Sequence, residues 1–308
     1  MNQLFGRFQS WGVLFALAVI CLIFTITSPH FLTTENIFST LRSVSFVAIL
    51  AMGETLAIIT GGIDLSVGSV LGFCGCLSAL LIHVGCPWWP ALLAGLSCGT
   101  LLGNINGQLI TRLKLPPFIV TLGMYSMARG LTYVITRSWP VSGLPPGYMQ
   151  LGQGYWWLIP LPIVFLVLTA AVTGLFLNRT RTGRYIFAIR GNETAALLSG
   201  VPVHKVKVMV YSLSGLLAAL SGVLLVARLG VAQPTSGVGF ELDAIAASVI
   251  GGTSLMGGKG TIAGVLIGAA IMGVLRNGLV LLGLSAFWQQ FAIGLVIILA
   301  VAIDRWRT

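Results

Sequence analysis

The sequence predicts an all-α membrane protein of about ten transmembrane helices, and three observations carry that prediction. The 308 residues are 56% hydrophobic and only 8% charged, whereas a soluble domain carries about 25% charged residues. A soluble fold with so little charge has no means of covering its apolar surface, while a bilayer solvates apolar side chains directly. The apolar residues also fall into runs near the roughly 20 that a helix needs to cross a membrane. Finally, the 39 glycines and 8 tryptophans suit helix packing in lipid: glycine admits close backbone approach, and tryptophan anchors at the interface. Residues 1–308 read as a single transmembrane domain.

Ten candidate spans follow in order, at 11–28, 44–61, 65–84, 91–110, 117–136, 156–177, 206–227, 241–256, 261–281 and 286–303. The first follows Arg7 and is long for a signal-peptide core, with no small-x-small cleavage site after it, so it is read as retained. In the 29–43 stretch, Phe31, Ile37, Phe38 and Leu41 sit near helical spacing beside Thr33 and Thr34, which can cap a helix. That stretch is either an interfacial helix or a plain linker. Residues 138–155 hold the prolines and glycines of a loop, and Trp139, Trp156 and Trp157 flank it as an aromatic belt does. The eighth span, near 241–256, is short and glycine-interrupted, the pattern of a half-helix or re-entrant segment. Such a segment is tolerated only inside protein or beside a water-filled cavity.

The net charge of +10 resides in short loops, with no interleaving of aromatic and basic residues that would make a nucleic-acid platform. With the N-terminus inside, 12 of the 17 basic residues fall in inside loops or termini and 5 (Arg42, Arg129, Arg137, Arg228 and Arg276) fall outside or at outer ends. This asymmetry follows the positive-inside rule and supports an even number of spans with both termini cytoplasmic. The five cysteines and the scattered His30, His83 and His204 form no disulfide framework, metal-ligand set or hydrolase motif. No metal, cofactor or enzymatic activity is expected. Gly257-Gly258-Lys259-Gly260-Thr261 departs from a phosphate loop because Gly260 separates Lys259 from Thr261, so any ATP hydrolysis must come from a separate chain.

The longest and most basic inside loop, 178–205, encodes a short helix with its own start and stop. Asn192 is an N-cap, and Glu193 stands in the first turn, where the helix dipole favours a negative charge. Ala195 to Leu198 are helix formers; Gly200 stops the helix and Pro202 forbids its return. A capped helix held outside the membrane suits docking into a groove on a soluble partner. Gly191, Asn192, Glu193, Ala195, Ala196, Gly200 and Val201 are the candidate docking residues.

Five polar residues at membrane depth are candidates for the pathway or its gate: Glu54, Asp64, Asn104, Asn106 and Gln108. Asp64 follows Gly61-Gly62 and is read first as a cap for the third span, with Ser66 nearby. Glu54 is either a pathway residue or half of a buried pairing, for instance with Arg129, or a protonated carboxyl. Asn104 and Gln108, four apart, share a helix face and serve either the hydroxyls of a ligand or helix–helix bonding. Glu241 and Asp243 open the eighth segment as dipole-favoured caps. Gly61-Gly62-Ile63-Asp64-Leu65 is echoed by Gly251-Gly252-Thr253-Ser254-Leu255, and Asn106-Gly107 by Asn277-Gly278, which suggests an internal repeat.

The loop Gly191-Asn192 through Ala195-Ala196 to Gly200-Val201 resembles the coupling segment of ribose-type permeases of bacterial ABC importers. Gly61 to Ser69, Asn104 to Gly107, Pro116 with Phe118 to Gly123, Glu241 to Ala247 and Gly251 to Gly258 resemble the same family, so the likeness runs nearly the whole chain. The resemblance implies the membrane-spanning permease subunit of a binding-protein-dependent importer for a monosaccharide such as ribose or another pentose or hexose, in the bacterial inner membrane. Its implied partners are a cytoplasmic ATP-binding subunit, an extracytoplasmic sugar-binding protein and a second permease subunit, identical or not. Two other readings stand beside it: an ion-coupled secondary transporter using Glu54 or Asp64 as proton site, and a permease for branched-chain amino acids, whose family is distantly similar.

Overall fold

The structure is a computed structural model that describes the backbone of residues 2–307 and the side chains of 12–302 apart from 191 and 300. Met1 and Thr308, the termini assigned above to the cytoplasm, lie outside the described residues. Thirteen helices are described. They are α1 (Asn2–Thr27), α2 (Thr34–Ile59), α3 (Val67–His83), α4 (Trp88–Arg112), α5 (Pro117–Thr136), α6 (Pro146–Gln153), α7 (Leu161–Arg179), α8 (Arg181–Gly191), α9 (Glu193–Leu198), α10 (Val203–Leu229), α11 (Phe240–Ile250), α12 (Ile262–Leu281) and α13 (Ala286–Arg307). A two-residue hairpin, β1 (Tyr155–Trp156) with β2 (Ile159–Pro160), separates α6 from α7. Proline sets several starts, standing at or beside the first residue of α5, α6, α7 and α10, where its missing N–H costs no helix bond.

α10 packs against α2, α3 and α4, and α3 packs against α4, so α10 is the centre of the bundle. From Val44 to Ile59 almost every side chain of α2 is buried, as expected of a helix apolar all round. By contrast, α5, α7 and α13 turn large apolar side chains outward, among them Phe118, Leu168, Phe287 and Phe291. Among the described residues, five helices (α2, α5, α7, α10 and α12) are long and apolar enough to cross a bilayer, and Gly12–Thr27, α3 and Ala286–Leu299 are shorter apolar helices. The chain is an all-α, multi-pass membrane protein. α4 is long enough, but four glycines and three amides dilute its apolar character.

Three stretches differ from the sequence expectation. Residues 34–43 are neither a separate interfacial helix nor a linker: Thr33 caps α2, its Oγ1 accepting from Asn36 N at 3.4 Å, and the helix continues unbroken to Ile59. The 138–155 loop contains α6, whose Tyr148 is buried with its hydroxyl 2.9 Å from Ser78 Oγ. The 178–205 loop holds two helices rather than one. In α8, Thr180 Oγ1 caps the start by accepting from Gly183 N at 3.0 Å, and Ile186 and Ile189 point inward while Arg181, Arg184 and Arg190 stay exposed.

The route from α10 to α11 is not helical. Residues 231–239 turn back and run beside α3. Val141 bridges Ala232, Cys76 Sγ donates to Gln233 O, and the Ser236 and Gly237 carbonyls lie against Gly72 and Gly68. Gly68 to Cys76 of α3 are passed in this way, about 12 Å of helix. α11 then covers only 11 residues before the irregular stretch 251–261.

The suggested repeat is half supported. Both α2 and α11 end in the same two-bond cap, Gly61 N to Ile58 O with Gly62 N to Ala57 O, and Gly252 N to Val249 O with Thr253 N to Ser248 O. Gly61 and Gly252 have φ of 86° and 90°, the left-handed conformation that glycine adopts without penalty. The structural equivalence is therefore one residue out of step with the sequence match, and Asp64 corresponds to Leu255. Asn106 and Asn277 do not correspond: Asn106 is two helices beyond its glycine turn, Asn277 only one.

Candidate functional site

The left-handed turn at Gly61 folds the chain back so that residue 64 lies beneath α2. There the backbone N–H of Asp64 donates to Glu54 Oε1 at 3.1 Å. Asp64 Oδ1 accepts from Ser66 N at 3.1 Å and from Ser66 Oγ at 2.5 Å, and Oδ2 accepts from Ser214 Oγ of α10 at 2.9 Å. Asn106 of α4 donates through Nδ2 to Ser66 Oγ at 3.0 Å. All five residues are buried. Four segments, α2, its following turn, α4 and α10, thus meet in one polar knot within an apolar bundle. Glu54 Oε2, Asn106 Oδ1 and the Tyr211 hydroxyl are buried there without a hydrogen-bond partner among the described residues, and that hydroxyl lies against Gly62.

The structure brings Glu54, Asp64 and Asn106 together and leaves Asn104 and Gln108 outside. Asn104 Nδ2 donates to Ser212 Oγ at 3.3 Å, a bond between helices, and Gln108 Oε1 is buried without a partner. Asp64 accepts the amide just before α3, as a cap does. The suggested pairing of Glu54 with Arg129 is absent: Arg129 Nη1 instead donates to the carbonyls of Pro234 and Ser236 at 2.8 and 2.9 Å. Glu241 accepts from Gly239 N at 3.2 Å as a cap, whereas Asp243 pairs with Arg276. Ser66, Ser214 and Tyr211 complete the knot and were not singled out from sequence; a hydroxyl in an apolar span is their one visible signal.

Replacing Asp64 by alanine strands three buried donors, each worth about 1–3 kcal/mol when left unpaired. The variant is expected to lose roughly 3 kcal/mol or more of stability, read as an earlier melting transition in detergent. Asp64→Asn keeps the Oδ1 acceptor for Ser66 and is expected to melt much closer to the parent. Equal melting of Asp64→Ala and the parent would show that the knot is not structural.

At the same end of the bundle lies the capped loop. Asn192 Oδ1 accepts from Ala195 N at 2.9 Å, and Gly200 ends α9 with a φ of 82°. Glu193 forms an ion pair at 2.7 Å with Lys207 in the first turns of α10. Ala196 and Val201 are buried, so they hold α9 to the bundle, while Gly191 closes α8. The outward face presents Ala195, Leu197 and Leu198, the last two 61% and 84% exposed. Arg190, at the end of α8, donates through Nε to the Met256 carbonyl, and its side chain lies against Gly61 and Gly257. Gly258 N in turn donates to Ile59 O at 3.0 Å. The loop therefore touches the turns that follow both α2 and α11.

Residues 36–301 match the family model described as "Branched-chain amino acid transport system / permease component". With that match spanning most of its length, the chain belongs to this family of transport-system permease components. Individual relatives are similar along nearly their whole length. The ribose import permease protein RbsC of Bacillus subtilis (strain 168) is 47% identical over 305 residues, covering 98% of this chain and 95% of the relative. The D-allose transport system permease protein AlsC of Escherichia coli (strain K12) is 41% identical over 299 residues, 96% and 92% of the two chains. The L-arabinose transport system permease protein AraH of the same strain is 37% identical over 304 residues, 98% and 93%.

Proposed function

We propose that this chain is the membrane-spanning permease subunit of an ATP-driven, binding-protein-dependent importer of a monosaccharide. It is a transport subunit and not an enzyme, with ATP hydrolysis on a separate cytoplasmic chain. The carrying observation is full-length similarity to permeases named for ribose, D-allose and L-arabinose. The family description names branched-chain amino acids, yet the full-length relatives cited here are named for sugars, which favours sugar as the cargo. The ion-coupled alternative, with Glu54 or Asp64 as proton site, is disfavoured by full-length similarity to a ribose import permease and to D-allose and L-arabinose transport-system permeases.

The single permease domain crosses the bacterial inner membrane about ten times with both termini inside. α11 is the half-helix of the eighth crossing, a reading supported by its 11 residues and by the turn-back of 231–239 beside α3. The ATP-binding subunit grips α9 and its flanks, from Gly191 to Val201, through exposed Ala195, Leu197 and Leu198; Asn192 and Gly200 fix the helix ends. The binding protein delivers sugar at the opposite end, and a second permease copy or paralogue completes the pathway. Glu54, Asp64 and Asn106 form the knot that sets the inner gate, while Asn104 and Gln108 contribute bonding along α4.

The test is reconstitution in liposomes. Uptake of D-ribose, D-allose or L-arabinose is expected only when ATP, the copurifying ATPase and the binding protein are all present. Uptake by the purified chain alone, driven by a proton gradient, would refute the proposal.

A further inference from the structure

A cavity of about 390 Å³ lies at the other end of the bundle from the Asp64 knot, between the first turns of α2 and α11 and the last turns of α10 and α12. Binding pockets for small molecules typically measure about 300–1,000 Å³ and set a few polar groups in mostly apolar walls. This one fits that description. Phe46 and Phe240 contribute aromatic surface, and Val47, Leu225 and Met272 extend it.

The polar groups in the wall are paired in an unusual way. Asp243 has a side chain only 4% exposed, and both its oxygens accept from Arg276 Nη2, at 3.0 and 2.7 Å. The Arg276 side chain is 45% exposed and stands at the mouth; its Nε and Nη1 have no partner among the described residues. Arg228 donates to Ser39 Oγ at 3.3 Å from the opposite wall. The Thr40 hydroxyl, also in the wall, is buried without a partner among the described residues. A guanidinium nearly half exposed at this position is not stable against lipid, so the mouth opens onto water or protein.

The lining selects its ligand by chemistry. Spare guanidinium N–H groups donate, the second lone pairs of the Asp243 oxygens accept, and aromatic and aliphatic walls take C–H faces. A compact neutral polyol offers all three complements. A purely apolar ligand would strand the guanidiniums, and because Arg228 and Arg276 outnumber Asp243 in the wall, the test below sets a phosphorylated sugar against the neutral one.

We propose that this cavity is a monosaccharide-binding station on the outward half of the chain, recognised by Asp243 and Arg276. The proposal rests on the sugar-importer reading and deepens it. The test uses the reconstituted importer with Ser43→Cys, since Ser43 lines the cavity and is exposed. Alkylation of position 43 by N-ethylmaleimide is quantified by mass spectrometry, so the natural cysteines remain. Whichever of D-ribose, D-allose and L-arabinose is imported is expected to slow that alkylation, and Arg276→Gln is expected to abolish the protection. Arg276→Gln and Asp243→Asn are each expected to raise the KM for uptake about tenfold, as loss of one hydrogen bond to a charged group does.

If the preparation imports sugar but alkylation is unchanged by it, the station is refuted and the importer reading survives. Stronger protection by ribose 5-phosphate than by ribose would mean an anion site and would also refute it. If no sugar is imported and another solute is, both readings fall.

Discussion

Leucine at position 103 is expected to remove the folded protein from the membrane. A Cβ placed on Gly103 would stand 2.1 Å from the Tyr211 carbonyl oxygen of α10, a main-chain atom that no side-chain rotation can move. Its neighbours in the same row are equally tight: a Cβ on Gly99 would meet the Gly215 carbonyl at 2.5 Å, and one on Gly107 the Val208 Cα at 2.6 Å. Gly95, Gly99, Gly103 and Gly107 lie four apart; the last three let α4 and α10 touch backbone to backbone, while Gly95 faces α3 at Cys74. One surplus methylene in a packed core costs about 1–3 kcal/mol; a whole side chain wedged between two backbones costs more, of the order of the 5–15 kcal/mol that holds a typical protein folded. The same seam positions Tyr211 over Gly62, so the Asp64 knot is expected to dissolve with it. Membrane abundance by immunoblot and melting of any purified chain give the readout. Gly103→Leu accumulating and melting like the parent would refute close α4–α10 contact.

The second large effect is a dissociation between assembly and transport. Leu198→Asp places a charge on the most exposed apolar side chain of α9, and the ATPase is expected to be lost from the purified complex. Arg190→Ala leaves the outward face of α9 untouched but removes the side chain that reaches Met256, Gly61 and Gly257. Its expected phenotype is a complex of normal composition that hydrolyses ATP while sugar uptake falls by about tenfold or more, the scale of one lost charged hydrogen bond. Normal uptake by Arg190→Ala would show that this contact transmits nothing.

Much of this architecture is legible in the sequence because its punctuation is local. Thr33, Pro116-Pro117, Asn192, Gly200 and Pro202 each act within a few residues of the helix end they set, and the ends of α3, α5 and α12 fall close to the expected spans. α8 was obscured because four arginines between 179 and 190 read as a solvated stretch, although Ile186 and Ile189 keep helical spacing on its buried side. The knot around Asp64 was half legible. A carboxylate in an apolar span announces a polar partner, yet Ser214 lies 150 residues away, and only the bundle decides which hydroxyl arrives. The glycine ladder of α4 stands openly in the sequence; which helix it faces does not. For the same reason the sequence left open whether Glu54 pairs with an arginine such as Arg129, whose partners are backbone carbonyls in a loop that returns beside α3.

That returning loop has a mechanical corollary. A rigid rod between α10 and α11 would transmit both push and pull, whereas a string of turns goes slack under compression and tightens under tension. Arg129, clasping Pro234 and Ser236, acts as the cleat on that rope. A pull on α11 would therefore meet Arg129 of α5 and the Gly68–Gly72 face of α3 before it reached α10.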